Sequence, residues 1–192
     1  SQIAGMVTRT ALLRRLYEGR EGTRLADSPK GPEAGLDLAP AIEKRLAGPA
    51  VRVLRALSES SANAGTKAYL VGGVVRDLLL RRENHDLDVG VEGDAAALAR
   101  DLHGRLGGRL RLHDAFQTAA LILEDGLRVD LATARTEHYA RPGALPEVSP
   151  GGLRQDLFRR DFTVNALAIG LSGGDFGKLT DFFGGRRDLL EG

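Results

Sequence analysis

Apolar residues recur every three or four positions between Ile42 and Leu57, a spacing that places them on one side of a helix. The pair Gly48-Pro49 interrupts this stretch. Because proline cannot continue a helix from within, the pattern predicts two helices rather than one. We therefore predict a leading helical segment over residues 41–66.

The residues before this segment carry weaker signals. Residues 10–20 can form an amphipathic helix. Residues 21–40 are rich in Gly and Pro and have no hydrophobic period, which is typical of a linker or an irregular loop. The chain is therefore predicted to begin with an N-terminal extension over residues 1–40.

Strand-like and helix-like segments alternate from residue 67 onward, as short apolar runs separated by stretches with helical spacing. The predicted strands are residues 68–71, 86–92, 118–124 and 127–133, and the predicted helices are 74–81, 94–106 and the first part of 153–171. Asp125-Gly126 between the last two strands is a hairpin signal, so this pair is expected to be antiparallel. The order predicts an α/β (α+β) fold over residues 67–192, with a mixed sheet flanked by helices.

Composition places the chain among ordinary globular proteins. It has 192 residues, 42% hydrophobic and 28% charged, which is enough for one core. No apolar run approaches the roughly 18 residues of a membrane span, and the N-terminus lacks a secretory signal pattern. Cysteine is absent, which excludes disulfides and thiolate metal sites and fits a cytoplasmic location. The net charge of +1 gives no global attraction to nucleic acid, so individual positions must carry any such function.

Two carboxylates stand at the head of a predicted strand, at Asp86 and Asp88. Residues i and i+2 of a strand project to the same face, so both point together while Leu87 points into the core. They repel each other unless a metal ion, arginines or water lies between them. Magnesium prefers oxygen ligands, and paired carboxylates can bridge two such ions for phosphoryl transfer. Asp130, on another predicted strand, would complete a metal site; the alternative is a solvated strand end.

A glycine pair, Gly72-Gly73, separates a predicted strand from a predicted helix. Without Cβ atoms the backbone there can approach a ligand closely, and amides that begin a helix favour anions. Arg76, about one turn into the helix, would face the same way. The alternative is a tight turn without a ligand, since neither a dinucleotide-binding glycine pattern nor a P-loop is present.

A third polar group lies in residues 156–168, where Arg159-Arg160-Asp161 is followed by Asn165. One interpretation is a solvated helix with internal ion pairs, each contributing a few tenths of a kcal/mol. The other is a nucleotide clamp. In that arrangement a guanidinium neutralises phosphate, and Asp161 or Asn165 hydrogen-bonds a sugar hydroxyl.

Taken together, these segments resemble the catalytic head of the class II tRNA nucleotidyltransferases (CCA-adding enzymes) and bacterial poly(A) polymerases. This family lies within the polymerase-β-like nucleotidyltransferase superfamily, and the resemblance covers residues 67–192. The motifs that carry it are YLVGGVVRDLLL with DLDV, VDLATARTEHYARPGALP, LRQDLFRRDFTVNALA and DFFGGRRDLLEG. The resemblance implies the polymerase-β-like fold.

The resemblance also implies the chemistry. An RNA 3′-hydroxyl would attack the α-phosphate of CTP or ATP with release of pyrophosphate, and the partners would be the nucleotide and the tRNA 3′ end. The residues implied to be catalytic and to hold two Mg²⁺ ions are Asp86, Asp88 and Asp130. The residues implied to bind the nucleotide are Gly72, Gly73, Arg76, Asp77, Arg135, Arg159, Arg160, Asp161 and Asn165. Arg135-Thr136-Glu137 and the loop after it would help to close the site.

The chain departs from the family pattern in three places. The family usually has glycine at the position of Arg81, and often Phe-Gly-Thr where this chain has Phe116-Gln117-Thr118. Neither change removes a metal ligand, but both can alter loops near the site. The family's base-selecting and tRNA-binding domains would follow Gly192, so the chain is expected to be a head domain from which they are absent.

Four alternatives stay open beside a tRNA nucleotidyltransferase. The nearest is a poly(A) polymerase, which shares the chemistry. A second is an isolated catalytic fragment that binds nucleotide with little turnover. A small-molecule nucleotidyltransferase is disfavoured by Arg159-Arg160-Asp161, and a catalytically silent module by the intact carboxylates. Which nucleotide is added is left undecided by the sequence.

Overall fold

The computed structural model describes residues 35–84, 86–113, 117–138 and 147–191. Within them the six α-helices are α1 (Ala39–Arg45), α2 (Gly48–Ala64), α3 (Gly73–Leu79), α4 (Ala95–Leu106), α5 (Leu153–Phe158) and α6 (Gly185–Glu191). The nine strands of this part of the chain are β1 (Lys67–Val71), β2 (Asp86–Glu92), β3 (Arg109–His113), β4 (Thr118–Ile122), β5 (Arg128–Thr133), β6 (Arg135–His138), β7 (Glu147–Pro150), β8 (Leu167–Gly170) and β9 (Leu179–Asp181). Short 3₁₀ helices occupy Thr163–Asn165 and Gly173–Asp175. None of the helices in the described ranges is long and apolar enough to cross a membrane.

The leading helical segment forms two helices, as its proline predicts. Pro40 and Pro49 each lie in the first turn of a helix, where the missing N–H costs no hydrogen bond. Gly65 ends α2 in the left-handed conformation, with φ of 63°. Helix α1 begins two residues before the predicted segment. Residues 10–20, predicted to contain an amphipathic helix, lie outside the described residues.

Seven strands form one mixed sheet in the order β3-β4-β5-β2-β1-β8-β9. Strands β2 and β5 are parallel, and the other neighbouring pairs in this sheet are antiparallel. Strands β6 and β7 form a separate antiparallel pair. The mixed sheet is therefore confirmed, and the hairpin predicted at Asp125-Gly126 joins β4 to β5.

One face of the sheet packs against α2 and α4 to form the main core. The strand residues on this face alternate with residues of the opposite face, as a period of two requires. Fully buried members of this core include Leu54, Leu57, Leu70, Leu87, Leu102, Leu121, Leu131 and Ile169. The apolar positions of β2 all lie on this face, so its polar positions lie on the other.

The opposite face carries a second, smaller apolar cluster around α5. Leu153 and Leu157, four residues apart on one side of this helix, pack with Val71 of β1 and Ala168 of β8. Tyr69 packs against the edge of the cluster. Helix α5 is therefore held on the sheet face to which the polar positions of β2 belong.

Several elements differ from the prediction. The predicted helix 74–81 ends at Leu79, and the predicted strand 118–124 ends at Ile122. Strands β3, β6, β7, β8 and β9 were not predicted. In β3 the pattern RLRLH does alternate, but its exposed positions are two arginines and a histidine at the edge of the sheet, which makes the segment resemble a polar loop.

Candidate active site

Strand β2 begins with the two aspartates on one face, as predicted. Leu87 is buried in the main core, whereas Asp86 and Asp88 lie on the open side. The start of the strand is fixed by Asn84, whose Oδ1 accepts a hydrogen bond from the Asp86 N–H at 2.9 Å. The β-strand period therefore brings both carboxylates to one edge of the site.

Asp130 lies beside this pair but is engaged by an arginine. In the parallel pairing of β2 and β5, Asp88 is opposite Asp130 and Asp86 is opposite Arg128. The Arg128 guanidinium donates to both Asp130 carboxylate oxygens, at 2.7 and 3.0 Å. In the described ranges no three His, Asp or Glu side chains come close enough to hold a metal ion together. The three-carboxylate metal site therefore stays a prediction.

Asp88 is the carboxylate whose surroundings most affect its charge. Burial raises its pKa above the ordinary value, Arg160 lowers it, and the nearby Asp130 and Asp86 raise it again. The ionised form of Asp88 is therefore less favourable here than it would be in water. A cation bound at this carboxylate would favour the ionised form.

The turn between β1 and α3 requires glycine at its first position. Gly72 has φ of 79° and ψ of −139°, a backbone conformation that only glycine adopts readily. A Cβ atom there would lie 2.9 Å from Nη1 of Arg160 and 3.6 Å from Oδ2 of Asp88. The turn therefore brings backbone, carboxylate and guanidinium together at one point.

Arg76 is fixed from two sides. Its Nε and Nη2 donate to the two carboxylate oxygens of Asp77, at 2.9 and 3.1 Å. Its Nη1 donates to Oδ1 of Asn165 at 2.8 Å. Asp77 is nearly buried and also accepts a hydrogen bond from Nδ2 of Asn84 at 2.7 Å. Asn84 therefore links the residues that orient Arg76 to the backbone of Asp86.

A single buried carboxylate holds both arginines of the third predicted group. Asp156 of α5 is 3% exposed, and its Oδ1 accepts from Nη2 of Arg159 at 2.7 Å. Its Oδ2 accepts from Nη2 of Arg160 at 3.3 Å. The ion pairs of the first interpretation are thus present, but its solvated helix is not: α5 ends before both arginines, and the carboxylate that holds them is buried. These ion pairs do not exclude the clamp, because Nη1 of Arg160 and Oδ2 of Asp88 both lie within 4 Å of the point where a Cβ of Gly72 would be.

Two of the predicted site residues lie outside the elements that carry the carboxylates and the glycine turn. Arg135 begins β6, which follows the C-terminal end of β5, whereas Arg128 lies at the N-terminal end of β5. Asp161 is exposed, just past the end of α5. Residues 139–146 of the loop expected to close the site lie outside the described residues. The nucleotide-binding roles of Arg135 and Asp161 therefore stay predictions.

Three residues at the site were missed from the sequence: Asn84, Arg128 and Asp156. Two of them carried a usable signal. Asp156 precedes Arg159 and Arg160 by three and four positions, the spacing of ion pairs on one helix face. Arg128 and Asp130 are two positions apart on one strand face. Asn84 lies in a loop and carried none.

Both glycine departures fall at left-handed backbone positions. Arg81 has φ of 59° and Gln117 has φ of 50°, and they are the non-glycine residues with positive φ in the described ranges. At Arg81 the N–H groups of residues 81 and 82 bond back to Leu78 and Asp77, the pattern that ends many helices with glycine. The same turn geometry is therefore kept, with strain that glycine would avoid.

A family model described as the Poly A polymerase head domain matches residues 68–192. This range contains all of β1 except its first residue, every element from α3 to α6, and every residue of the site. The chain belongs to this family. The expected resemblance and the fold that it implies are confirmed.

Curated relatives of the head domain are nucleotidyltransferases that act on tRNA. An A-adding tRNA nucleotidyltransferase of Geobacter sulfurreducens is 43% identical over 99% of this chain and 22% of its own length. A CC-adding tRNA nucleotidyltransferase of Deinococcus radiodurans is 45% identical over 69% of this chain and 36% of its own. The head domain thus spans between a fifth and two fifths of the length of these relatives.

A solved structure supports the same placement. The Thermotoga maritima CCA-adding enzyme in complex with tRNA is 41% identical and superposes with a TM-score of 0.70. The match covers 82% of this chain and 35% of that one. The part of that enzyme which resembles this chain is therefore about a third of its length.

Proposed function

We propose that this head domain adds CMP, AMP or both, from CTP and ATP, to the 3′ end of tRNA, with release of pyrophosphate. The observation that carries the proposal is the meeting of opposite charges at one glycine. The point where a Cβ of Gly72 would lie is within 4 Å of a guanidinium nitrogen of Arg160 and a carboxylate oxygen of Asp88. A metal-bound triphosphate needs both kinds of group within a short distance.

The donor set fits magnesium. Asp86 and Asp88 offer oxygen ligands on one strand face, and burial raises the pKa of Asp88, which a bound cation would reverse. We propose that these two residues hold two Mg²⁺ ions, with Asp130 as the third ligand. When bound, the metal supplies a lower pKa for the attacking hydroxyl and charge stabilisation for the leaving pyrophosphate.

The arginines bind and orient the phosphates. Arg160 lies over Gly72, and Asp156 fixes the direction in which its guanidinium points. Arg76 is fixed by Asp77 and Asn165 in the same way. A pre-oriented guanidinium loses less side-chain entropy on binding, and its planar fork matches phosphate oxygens. These residues therefore place the nucleotide and neutralise its charge without forming a covalent intermediate.

The base that is added remains open within the proposal. The A-adding and CC-adding relatives match this head domain at similar identity, so the head does not separate them. A poly(A) polymerase would use the same site, and it differs from the tRNA enzyme in its acceptor RNA. The location that fits a tRNA substrate is the cytoplasm.

The test is incorporation of labelled nucleotide by the complete gene product. The protein is incubated with Mg²⁺ and labelled ATP or CTP, and with tRNA that ends before CCA, ends in CC, or is replaced by an unrelated RNA. We expect incorporation into tRNA, and the pairing of nucleotide with acceptor identifies the base. Asp86→Ala should abolish it, because the variant removes a proposed metal ligand.

Asp101→Ala is the matched control for this test. It removes an exposed carboxylate that is bonded to Arg105 on α4, the helix that packs on the sheet face opposite to the site. Its activity should equal that of the wild type. Equal incorporation by wild type and Asp86→Ala would contradict the proposed site. Extension of the unrelated RNA by ATP alone, with tRNA left unchanged, would favour the poly(A) polymerase.

A further inference from the structure

We propose that Glu92 is a positioning residue for this reaction: it fastens the first turn of α5 to β2 and thereby sets where Arg160 lies relative to Asp88. The inference rests on the proposed function for its catalytic consequence. Its structural part concerns contacts within the head domain.

Glu92 ends the strand that begins with the two aspartates. Positions 86, 88, 90 and 92 of β2 share one face, so Glu92 lies on the same side of the sheet as the site. Its Oε1 accepts a hydrogen bond from the N–H of Leu153 at 2.6 Å. Its Oε2 accepts from the Tyr69 hydroxyl at 3.3 Å. Both oxygens of this carboxylate are thus engaged, and one of them is bonded to α5.

Helix α5 has no side chain at its own N-cap to do this. The N-cap residue is Gly152, whose N–H bonds to Oε1 of Gln155 at 3.0 Å. The first N–H groups of a helix have no partner inside it, and a neighbouring side chain usually supplies one. Here the partner comes from a residue 61 positions earlier. A long-range residue therefore caps this helix.

Helix α5 and strand β2 lie side by side between two points, the Glu92–Leu153 bond and the Gly72 turn. At one end Glu92 holds Leu153; at the other, Nη1 of Arg160 and Oδ2 of Asp88 both lie within 4 Å of the point where a Cβ of Gly72 would be. Four strand residues span about 13 Å. The six residues of α5 span about 9 Å, and the two residues up to Arg160 extend the chain beyond its end. The two spans agree closely enough for α5 to act as a spacer along β2.

The spacer is rigid in its middle. Leu153 and Leu157 pack into the second apolar cluster, and Asp156 on the same helix holds Arg160. A shift at the first turn of α5 is therefore transmitted to the guanidinium, because a packed helix moves as a unit. Loss of Glu92 should therefore displace a residue of the site, whereas loss of an ordinary helix cap affects stability alone.

The kinetic test compares two variants of Glu92 in the complete gene product. Glu92→Ala removes the acceptor for Leu153, and we expect the KM for the nucleotide to rise about tenfold and kcat to fall, because a positioning error weakens both binding and the transition state. Glu92→Gln keeps an acceptor oxygen and should return both constants to within about threefold of the wild type. Assays are run well below the unfolding temperature of each variant.

Asp94→Ala is the matched control. Asp94 caps α4 through a bond from the Ala97 N–H at 2.9 Å, and α4 carries no residue of the site. This variant should lose stability as a lost cap does and keep wild-type kinetics. If Glu92→Ala behaves like Asp94→Ala, Glu92 is only a cap and the proposal is wrong.

A spectroscopic readout reports on the Glu92 contacts without any assay of activity. Burial, and then the charge and hydrogen bond of Glu92, raise the pKa of Tyr69 to about 12. In an alkaline absorbance titration, the difference between the wild type and Tyr69→Phe should show a tyrosine that ionises well above the ordinary pKa. In Glu92→Ala its pKa should fall toward the ordinary value without reaching it, because burial is the larger cause. An unchanged Tyr69 titration would contradict the contact.

Crystal structures of the wild type and Glu92→Ala separate the inference from the proposed function. A wild type that incorporates no nucleotide contradicts the function only. The positioning role then depends on whether the Arg160 guanidinium moves away from Gly72 in the variant. We expect it to move together with the first turn of α5. An unmoved guanidinium would overturn the inference even if the enzyme is active.

Discussion

Asp88→Asn should abolish nucleotide addition and leave the fold intact. Replacing residues outside the direct ligands of a metal commonly costs ten- to a hundredfold in activity, so loss of a ligand should cost more than about a hundredfold. Stability should respond differently. Burial places the pKa of Asp88 in the folded state above its value in the unfolded state. The protonated carboxyl therefore favours folding at low pH, and this contribution to the free energy of folding is lost as the pH rises through the folded pKa. At neutral pH the neutral amide should therefore be tolerated at least as well.

The measurement is thermal unfolding at neutral pH with and without Mg²⁺, alongside the activity assay. Without metal, Asp88→Asn should unfold at the wild-type temperature or above it. Added Mg²⁺ should raise the unfolding temperature of the wild type and not that of the variant, because a ligand stabilises only the state that binds it. If Asp88→Asn unfolds at a clearly lower temperature than the wild type without metal, its loss of activity reflects unfolding and does not show that Asp88 binds a metal.

Gly72→Ala should weaken both folding and nucleotide binding. The backbone at φ of 79° and ψ of −139° is strained for any residue with a Cβ, at a cost of about 1–3 kcal/mol. The added methyl would also meet Nη1 of Arg160 at 2.9 Å and displace it. We expect a lower unfolding temperature and at least a tenfold loss of affinity for the nucleotide, measured by calorimetric titration.

Gly126→Ala separates strain from contact. Gly126 has φ of 88° in the β4–β5 turn, and a Cβ there would meet nothing within 4 Å. This control should lose stability through backbone strain and keep wild-type nucleotide affinity. Equal affinities for Gly72→Ala and wild type would mean that the Gly72 turn does not contact the nucleotide.

The period of the strands was enough to predict one part of the site. The alternation DLDVGVE indicates that Asp86 and Asp88 share a face and that Leu87 is buried, and the structure confirms both. The pairing of Asp88 with Asp130 depends on the register between two strands whose paired residues are 42 positions apart. A period alone does not fix register, so the engagement of Asp130 by Arg128 could not be derived.

The contacts of α5 illustrate the other limit of the sequence. Local spacing would have indicated the pairing of Asp156 with Arg159 and Arg160, because these residues share one helix face. The bond between Glu92 and Leu153 joins residues 61 positions apart, and Glu92 belongs to none of the recognised motifs. Such a contact follows from the packing of α5 on the sheet, which hydrophobic patterning predicts only as burial.

The family resemblance predicted more than the residues alone. It implies nucleotide-binding roles for both Gly72 and Arg160, which the structure places close together. It also marked Arg81 and Gln117 as departures, and both adopt the left-handed backbone that glycine favours. It did not supply the position of Arg135, which the structure places past the far end of β5.

The most direct test of the central claim is a calorimetric titration of the wild-type protein and Asp86→Ala with ATP and with CTP, each with and without Mg²⁺. In the proposed site, Asp86 and Asp88 bind the metal of a nucleotide triphosphate and Arg160 contacts its phosphates. The wild type should then bind ATP or CTP with at least tenfold higher affinity when Mg²⁺ is present. Asp86→Ala should lose that gain. Equal affinity with and without Mg²⁺, or a gain that survives in Asp86→Ala, would contradict the metal-dependent nucleotide site.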